Sequence, residues 1–271
     1  MSKKLEELRK IRNSINMTVT FEEEINYKAT NLFVANHNLL KDIFYLPMAT
    51  DCDMVSMISP RLLYKNDLPR KDVVNKYLYG LPIEAHGGPN YANMCLNMGS
   101  ALLQTGISVG IFPEGAYIEE DEIHKGRTGA VRMLFSSLDI NPEINLIPVA
   151  ISTTKEKDHL DDFNFDSDFV EVKVLKPIEY MQAYKMYLKT NDRDERNFYL
   201  HQVTDEAMRN IASSINKTYI DKYIELFKKN NVMFGDGQVV STDIAGNLEY
   251  LNLYYSEISN QTDNYIKILK K

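Results

Sequence analysis

The chain is 271 residues long, with 44% hydrophobic and 25% charged residues and a formal net charge of −7. That is the profile of a folded protein with one large domain or two small ones. The acidic balance argues against nucleic-acid binding, which requires a basic face. Cys52 and Cys95 have no zinc or redox spacing, and two cysteines cannot staple a chain of this length. They read as two buried thiols in a reducing cytoplasm.

Residues 1–16, MSKKLEELRKIRNSIN, lack the apolar core of a secretory signal. No run anywhere approaches the roughly eighteen apolar residues that span a bilayer. Leu5, Leu8, Ile11 and Ile15 share one helical face, while Lys3, Lys4, Arg9, Lys10 and Arg12 outnumber Glu6 and Glu7. A basic amphipathic helix of this kind either rests on anionic lipid or packs on its own domain.

From Asn31 short apolar runs alternate with helical spacing. NLFVAN predicts a strand and LLKDIFYLPMAT a helix. DMVSMIS is a second strand, VVNKYLYG a helix, and LPIEA a short strand ended by HGGPN. YANMCLNMGSALLQTG has apolar residues at helical spacing and stops at Gly106. ISVGIFPEG is a strand running into a turn, TGAVRMLFSSL a helix, and INLIPVAIS and FVEVKVLK two more strands. After Pro177 the segments IEYMQAYKMYLKT, 196–230, NLEYLNLYYSEIS and NYIKILKK all read helical.

The pattern predicts an α/β fold, a mixed, mostly parallel sheet flanked by helices, with a mainly helical C-terminal part. The expected division is an N-terminal amphipathic helix over 1–20, an α/β core over 21–180 and a helical part over 181–271 packed on the core. HLDDFNFDSDF (159–169) lacks the glycine and terminal glutamate of a calcium loop. It reads as a solvated loop, with a metal site the weaker alternative.

Two stretches carry chemistry. His37 ends an apolar run and Asp42 follows five positions on, with a helix expected from about Asn38. In an open α/β sheet, reactive groups gather where strands end and helices begin. A carboxylate on one ring nitrogen fixes the tautomer and leaves the other as a base. A helix-capping histidine is the bland alternative. The second stretch is Phe112-Pro113-Glu114-Gly115 at a strand end. Proline stops the ladder because it has no N–H to donate, and glycine permits close backbone approach or a positive φ. Glu114 is therefore expected beside His37.

With these blocks the chain resembles the glycerolipid acyltransferases, and among them the bacterial lysophosphatidic acid acyltransferases. NHNLLKD (36–42), GLPIEAHGG (80–88), IFPEG (111–115) with HKGRTGA (124–130), and LIPVA (146–150) match the family's four blocks in order. VTDEAMRNIASSINKTY (203–219) resembles the helix that closes many bacterial members. The likeness covers about residues 30 to 220.

It implies transfer of a fatty acyl group from acyl-CoA or acyl-ACP, as co-substrate, to the hydroxyl of a lysophospholipid or other lipid alcohol. His37 would be the general base and Asp42 its orienting partner. Glu114 and Gly115 would position the acceptor. Lys125, Gly126 and Arg127 would meet phosphate or the carrier's phosphopantetheine, unless they form a solvated loop. The resemblance implies no metal and no further cofactor, and a cytoplasmic protein peripheral at the inner face of the membrane.

The departures bear on the acceptor. The second block ordinarily ends in an arginine; His86 stands there. The third ordinarily continues Thr-Arg; Ala116 and Tyr117 stand there. Arginine binds phosphate bidentately at any working pH, whereas an ordinary histidine is mostly neutral at pH 7. Either Arg61, Lys65, Lys125 or Arg127 replaces the clamp, or the acceptor carries no phosphate. The alternative for His86 is a structural turn residue beside Gly87-Gly88-Pro89.

Three other classes compete. Gly106-Ile107-Ser108-Val109-Gly110 fits the nucleophile elbow of serine esterases, but its context is helix then strand, the reverse of an elbow. A non-catalytic lipid- or carrier-binding module would explain the lost arginines but not the retained base. A metal hydrolase would need histidines at ligand spacing, and His37, His86, His124, His159 and His201 have none.

Overall fold

A computed structural model describes residues 2–64, 69–84, 88–116, 122–153, 165, 169–224, 231–233 and 239–270. The elements run α1 (Lys3–Ser14), β1 (Asn16–Phe21), β2 (Thr30–Ala35), α2 (Asp42–Thr50), β3 (Met54–Ile58), α3 (Pro60–Tyr64), α4 (Pro69–Tyr77), β4 (Tyr79–Pro82), α5 (Pro89–Gln104), β5 (Ser108–Ile111) and β6 (Glu122–His124). Then come α6 (Gly129–Ser137), β7 (Ile144–Thr153), β8 (Phe169–Val174), α7 (Met181–Lys189), α8 (Arg193–Ser214), β9 (Thr218–Ile220), β10 (Asn231–Met233), β11 (Val239–Ser241), α9 (Thr242–Leu253) and α10 (Tyr255–Leu269).

The main sheet has the order β1-β8-β7-β2-β5-β3-β4. Every neighbouring pair in it is parallel except β7–β8. This is the mixed, mostly parallel α/β sheet that the sequence predicts. Its central strands are mostly apolar rather than alternating, as expected of strands buried on both faces. All of β2, β3 and β5 is buried accordingly.

The strand order decides where chemistry is possible. The chain leaves β2 for β3 on one side, and β5 returns to fill the gap between them. The carboxyl ends of β2 and β5 thus lie side by side at a switch in strand order, the place where open α/β sheets gather their ligands. The register Leu32↔Val109, Phe33↔Gly110, Val34↔Ile111, carried three residues further, sets His37 level with Glu114.

The amphipathic segment at the N-terminus is helical, with Ser2 capping it through Leu5 N–H. Its apolar stripe faces inward. Leu5 and Leu8 are buried, and the helix packs on α2 and α4. Burying each leucine contributes roughly 1.5–3 kcal/mol. Arg9 pairs with Asp51, Arg12 bonds the Met48 carbonyl, and Lys4 bonds the Asn75 and Leu78 carbonyls. Of the two alternatives for this helix, the apolar face takes the second and rests on its own domain. Among the described residues no helix is long and apolar enough to cross a membrane.

Three expectations are corrected. The helix after His37 begins at Asp42, not near Asn38, because the Asp42 carboxylate reaches back to Asn38 N–H and Leu39 N–H and holds 38–41 as a turn. The helix expected across 196–230 ends at Ser214. Asn216 takes φ of 56°, a left-handed stop that asparagine tolerates, and the chain turns into β9. The apolar stretch from 247 divides at Tyr254 into α9 and α10. Tyr265 of α10 donates its hydroxyl proton to the Gly80 carbonyl at 3.0 Å, and α10 packs on edge strand β4. The loop 159–169 lies outside the described residues, apart from Phe165 and Phe169.

Candidate active site

His37 lies two residues beyond β2. Its backbone N–H donates to Glu114 Oε2 at 2.8 Å, and its ring stacks on Phe112 with centroids 4.4 Å apart. Nδ1 is 3.3 Å from Asp42 Oδ2. Asp42 opens α2 with its side chain only 1% exposed. Its Oδ2 also accepts from Asn38 N at 2.7 Å and Leu39 N at 2.8 Å. Two backbone donors on that oxygen identify it as an acceptor. Nδ1 is therefore the protonated ring nitrogen, and Nε2 is left with a lone pair. Among the described residues Asp42 Oδ1 is buried with no hydrogen-bond partner.

Glu114 is 3% exposed and follows Pro113 at the end of β5. Oε2 takes the His37 amide, and Oε1 takes the His124 amide at 2.9 Å. Burial raises its pKa above the ordinary 4.5, opposed by the two amide bonds. Gly115 has φ of +78° and donates its N–H to the Phe112 carbonyl, so the chain reverses tightly. Both carboxylate oxygens are thus engaged by main chain. The geometry makes Glu114 a bracket that ties the His37 corner to the next loop.

The cationic loop packs against α8 and the segment that follows β9. Lys125 Nζ is 2.6 Å from Asp221 Oδ1 and 3.7 Å from Asp205 Oδ2. The Asp221 hydrogen bond raises the lysine's pKa. Gly126 packs so closely that an added Cβ would stand 2.9 Å from Met208 Cγ and Thr204 Cγ2 and 3.0 Å from Pro113 Cβ. It lets the loop sit against α8. Arg127 donates its amide to the Pro113 carbonyl at 2.7 Å, and its guanidinium lies 5.2 Å from the centre of the Tyr223 ring. Burial lowers its pKa. His86, Tyr117 and Lys65 lie outside the described residues.

Some contributors were not legible as site residues. β6 pairs in parallel with β9, His124 opposite Ile220, and this ribbon presents the His124 amide to Glu114. Glu84, just beyond β4, is buried and accepts from Asn247 of α9. Asn31 N–H donates to the Ser108 hydroxyl, which opens β5 at the end of the sheet opposite Glu114. The esterase reading of Gly106–Gly110 has its serine on the wrong end of the strand. Among the described residues no three His, Cys, Asp or Glu side chains gather as a metal group.

Residues 16–152, slightly more than half of the chain, match the family model described as Acyltransferase. No curated protein matches by sequence. A solved structure, the 1-acyl-sn-glycerophosphate (LPA) acyltransferase PlsC from Thermotoga maritima, is similar at 18% identity. The alignment covers 77% of this chain and 80% of that one, with a TM-score of 0.49.

Proposed function

We propose the following reaction for this chain, which belongs to the Acyltransferase family: it moves a fatty acyl group from an acyl-CoA or acyl-ACP thioester to the hydroxyl of a lysophospholipid-type acceptor, 1-acyl-glycerol-3-phosphate first among them. The observation that carries this reading is the His37 ring held between Phe112 and the buried Asp42, its N–H tied to Glu114. His37 Nε2 takes the proton of the acceptor hydroxyl. The oxygen attacks the thioester carbonyl, the ester bond forms, the C–S bond breaks, and the thiol leaves with the proton from His37. General-base help of this kind is worth about a hundred- to ten-thousand-fold in rate. Asp42 holds the tautomer and offsets the positive charge that the ring acquires. No metal or further cofactor enters this scheme.

A thiol-release assay tests it, with acyl-CoA and acyl-ACP donors set against lysophosphatidate, glycerol phosphate and neutral acceptors. Acyl transfer that His37→Ala abolishes supports the reading. Binding of donor without turnover would replace it with a lipid- or carrier-binding module. A phosphate-free acceptor is the second reading, and a specific observation favours it. Lys125 is engaged with Asp221, Arg127 is stacked on Tyr223, and Ala116 replaces the motif threonine. A preference for neutral over phosphorylated acceptors decides for it. The acceptor is a membrane lipid in either case, so we assign the working protein to the cytoplasmic face of a membrane as a peripheral protein. Flotation with liposomes of anionic and neutral composition checks that assignment.

A further inference from the structure

Asn36 stands between the last residue of β2 and His37 and is wholly buried. The ladder from β2 to β7 runs from Thr30↔Ile144 to Ala35↔Val149 and then stops. The Asn36 side chain takes over at this point. Its Oδ1 accepts from Ile151 N–H at 2.8 Å, and its Nδ2 donates to the Ile151 carbonyl at 2.8 Å. A backbone N–H only donates and a carbonyl only accepts, so Ile151 itself dictates which way the carboxamide points. The carboxamide thus imitates a strand residue, and the main chain is free to leave the sheet one position before His37.

The second Nδ2 proton goes to Asn38 Oδ1 at 2.6 Å, and the Asn38 amide donates to Asp42 Oδ2 at 2.7 Å. One side chain therefore links β7 to the turn that carries both partners of the base. We propose that Asn36 is a positioning residue for the His37–Asp42 pair, setting the turn through Ile151 and Asn38. Aspartate would set a carboxylate oxygen against the Ile151 carbonyl. Alanine would leave both Ile151 groups buried and unpaired. Glutamine would push the amide a methylene too far.

The kinetic test rests on the acyl-transfer reading; a spectroscopic test does not. Asn36→Ala, Asn36→Asp and Asn38→Ala are compared with the parent for kcat, for KM of each substrate, for melting, and for the His37 imidazole by 15N NMR at mildly alkaline pH. His37→Gln identifies the His37 signals. The two Asn36 variants are expected to lose about ten- to a hundredfold in kcat, the scale of a small misplacement of a reacting group, with KM within about twofold. Asn38→Ala, which keeps the Ile151 pair, loses less. In an Asp42→Asn background Asn36→Ala adds little further loss, because both act on one ring. The parent ring shows the Nδ1-protonated tautomer, and Asn36→Ala shows a mixture.

Folded variants with parental kcat and a parental tautomer overturn the proposal. So do losses confined to KM, or losses that multiply with Asp42→Asn. Should Asn36→Ala not fold, Asn36→Asp and Asn38→Ala decide by the same criteria. A parent protein that releases thiol from no donor overturns the acyl-transfer reading instead, and the tautomer comparison then decides the role of Asn36.

Discussion

The two corners that meet at Glu114 are built in different ways. The first, residues 36–42, pairs its two side chains locally: the acid that partners His37 is five residues away and bonds the amides of 38 and 39, while Asn36 and the His37 amide anchor the turn to Ile151 and Glu114. The second, residues 112–127, has bonds of its own but is also held by segments distant in the chain. Its glutamate is fixed by the amides of His37 and His124, its glycine by α8, and its lysine by the residue after β9. A local turn can place a base and its acid within one short segment. Bringing the supporting loop to them requires segments nearly a hundred residues later in the chain. If this contrast is right, damage to the first corner removes chemistry and damage to the second removes support.

The largest expected effect is therefore on rate alone. His37→Ala should lower kcat by about a hundred- to ten-thousand-fold, with melting close to that of the parent, measured by thiol release and calorimetry. A variant of the outer loop that equals this loss while leaving melting untouched would break the contrast. Next comes Glu114→Gln, which turns one acceptor into a donor facing a backbone N–H. One buried amide left unpaired costs about 1–3 kcal/mol, and kcat should fall with stability.

The sign of the pH dependence follows from the raised Glu114 pKa. A group whose folded pKa lies above its unfolded value binds more protons when folded, so its stabilisation is full in acid and is lost as pH rises. The stability difference between parent and Glu114→Gln should therefore shrink as pH is raised from the ordinary carboxyl pKa of 4.5 upward. A melting series on both proteins measures it, and the other carboxylates cancel in the difference.

Gly126→Ala should destabilise by about 1–3 kcal/mol through overpacking against Met208, Thr204 and Pro113, with a smaller loss of activity. The smallest effect is expected from Asp221→Asn. Its carboxylate is exposed, and water and salt screen the pair with Lys125. Melting should not change measurably, because the backbone pairing of β6 with β9 and the Gly126 contact seat the loop. A large drop would mean that the ion pair, not the ribbon, holds it.

Much of this is legible in the sequence. Alternating apolar runs foretell the α/β layers, and the spacing of His37 and Asp42 gives the pair because the four-residue turn 38–41 brings them together. Pro113 and Gly115 mark a fixed, reversing loop. Other features left no local trace. β6 and β9 are three residues each, too short for a period to show. The Asn216 stop was legible in principle but masked by helical spacing on either side. Glu114 reads as a group for substrate, and nothing in its spacing foretells that its two oxygens also take the His37 and His124 amides.

Hydrophobic periodicity and short-range turn chemistry are properties of neighbouring residues, so the sequence by itself determined the layered fold and the pairing of His37 with Asp42. The strand order is a property of the whole chain. It alone decided that β5 lies beside β2, bringing Glu114 level with His37, and that β9 reaches back to seat the loop. Neither contact has a signature in spacing, because each joins residues that meet only once the sheet has closed.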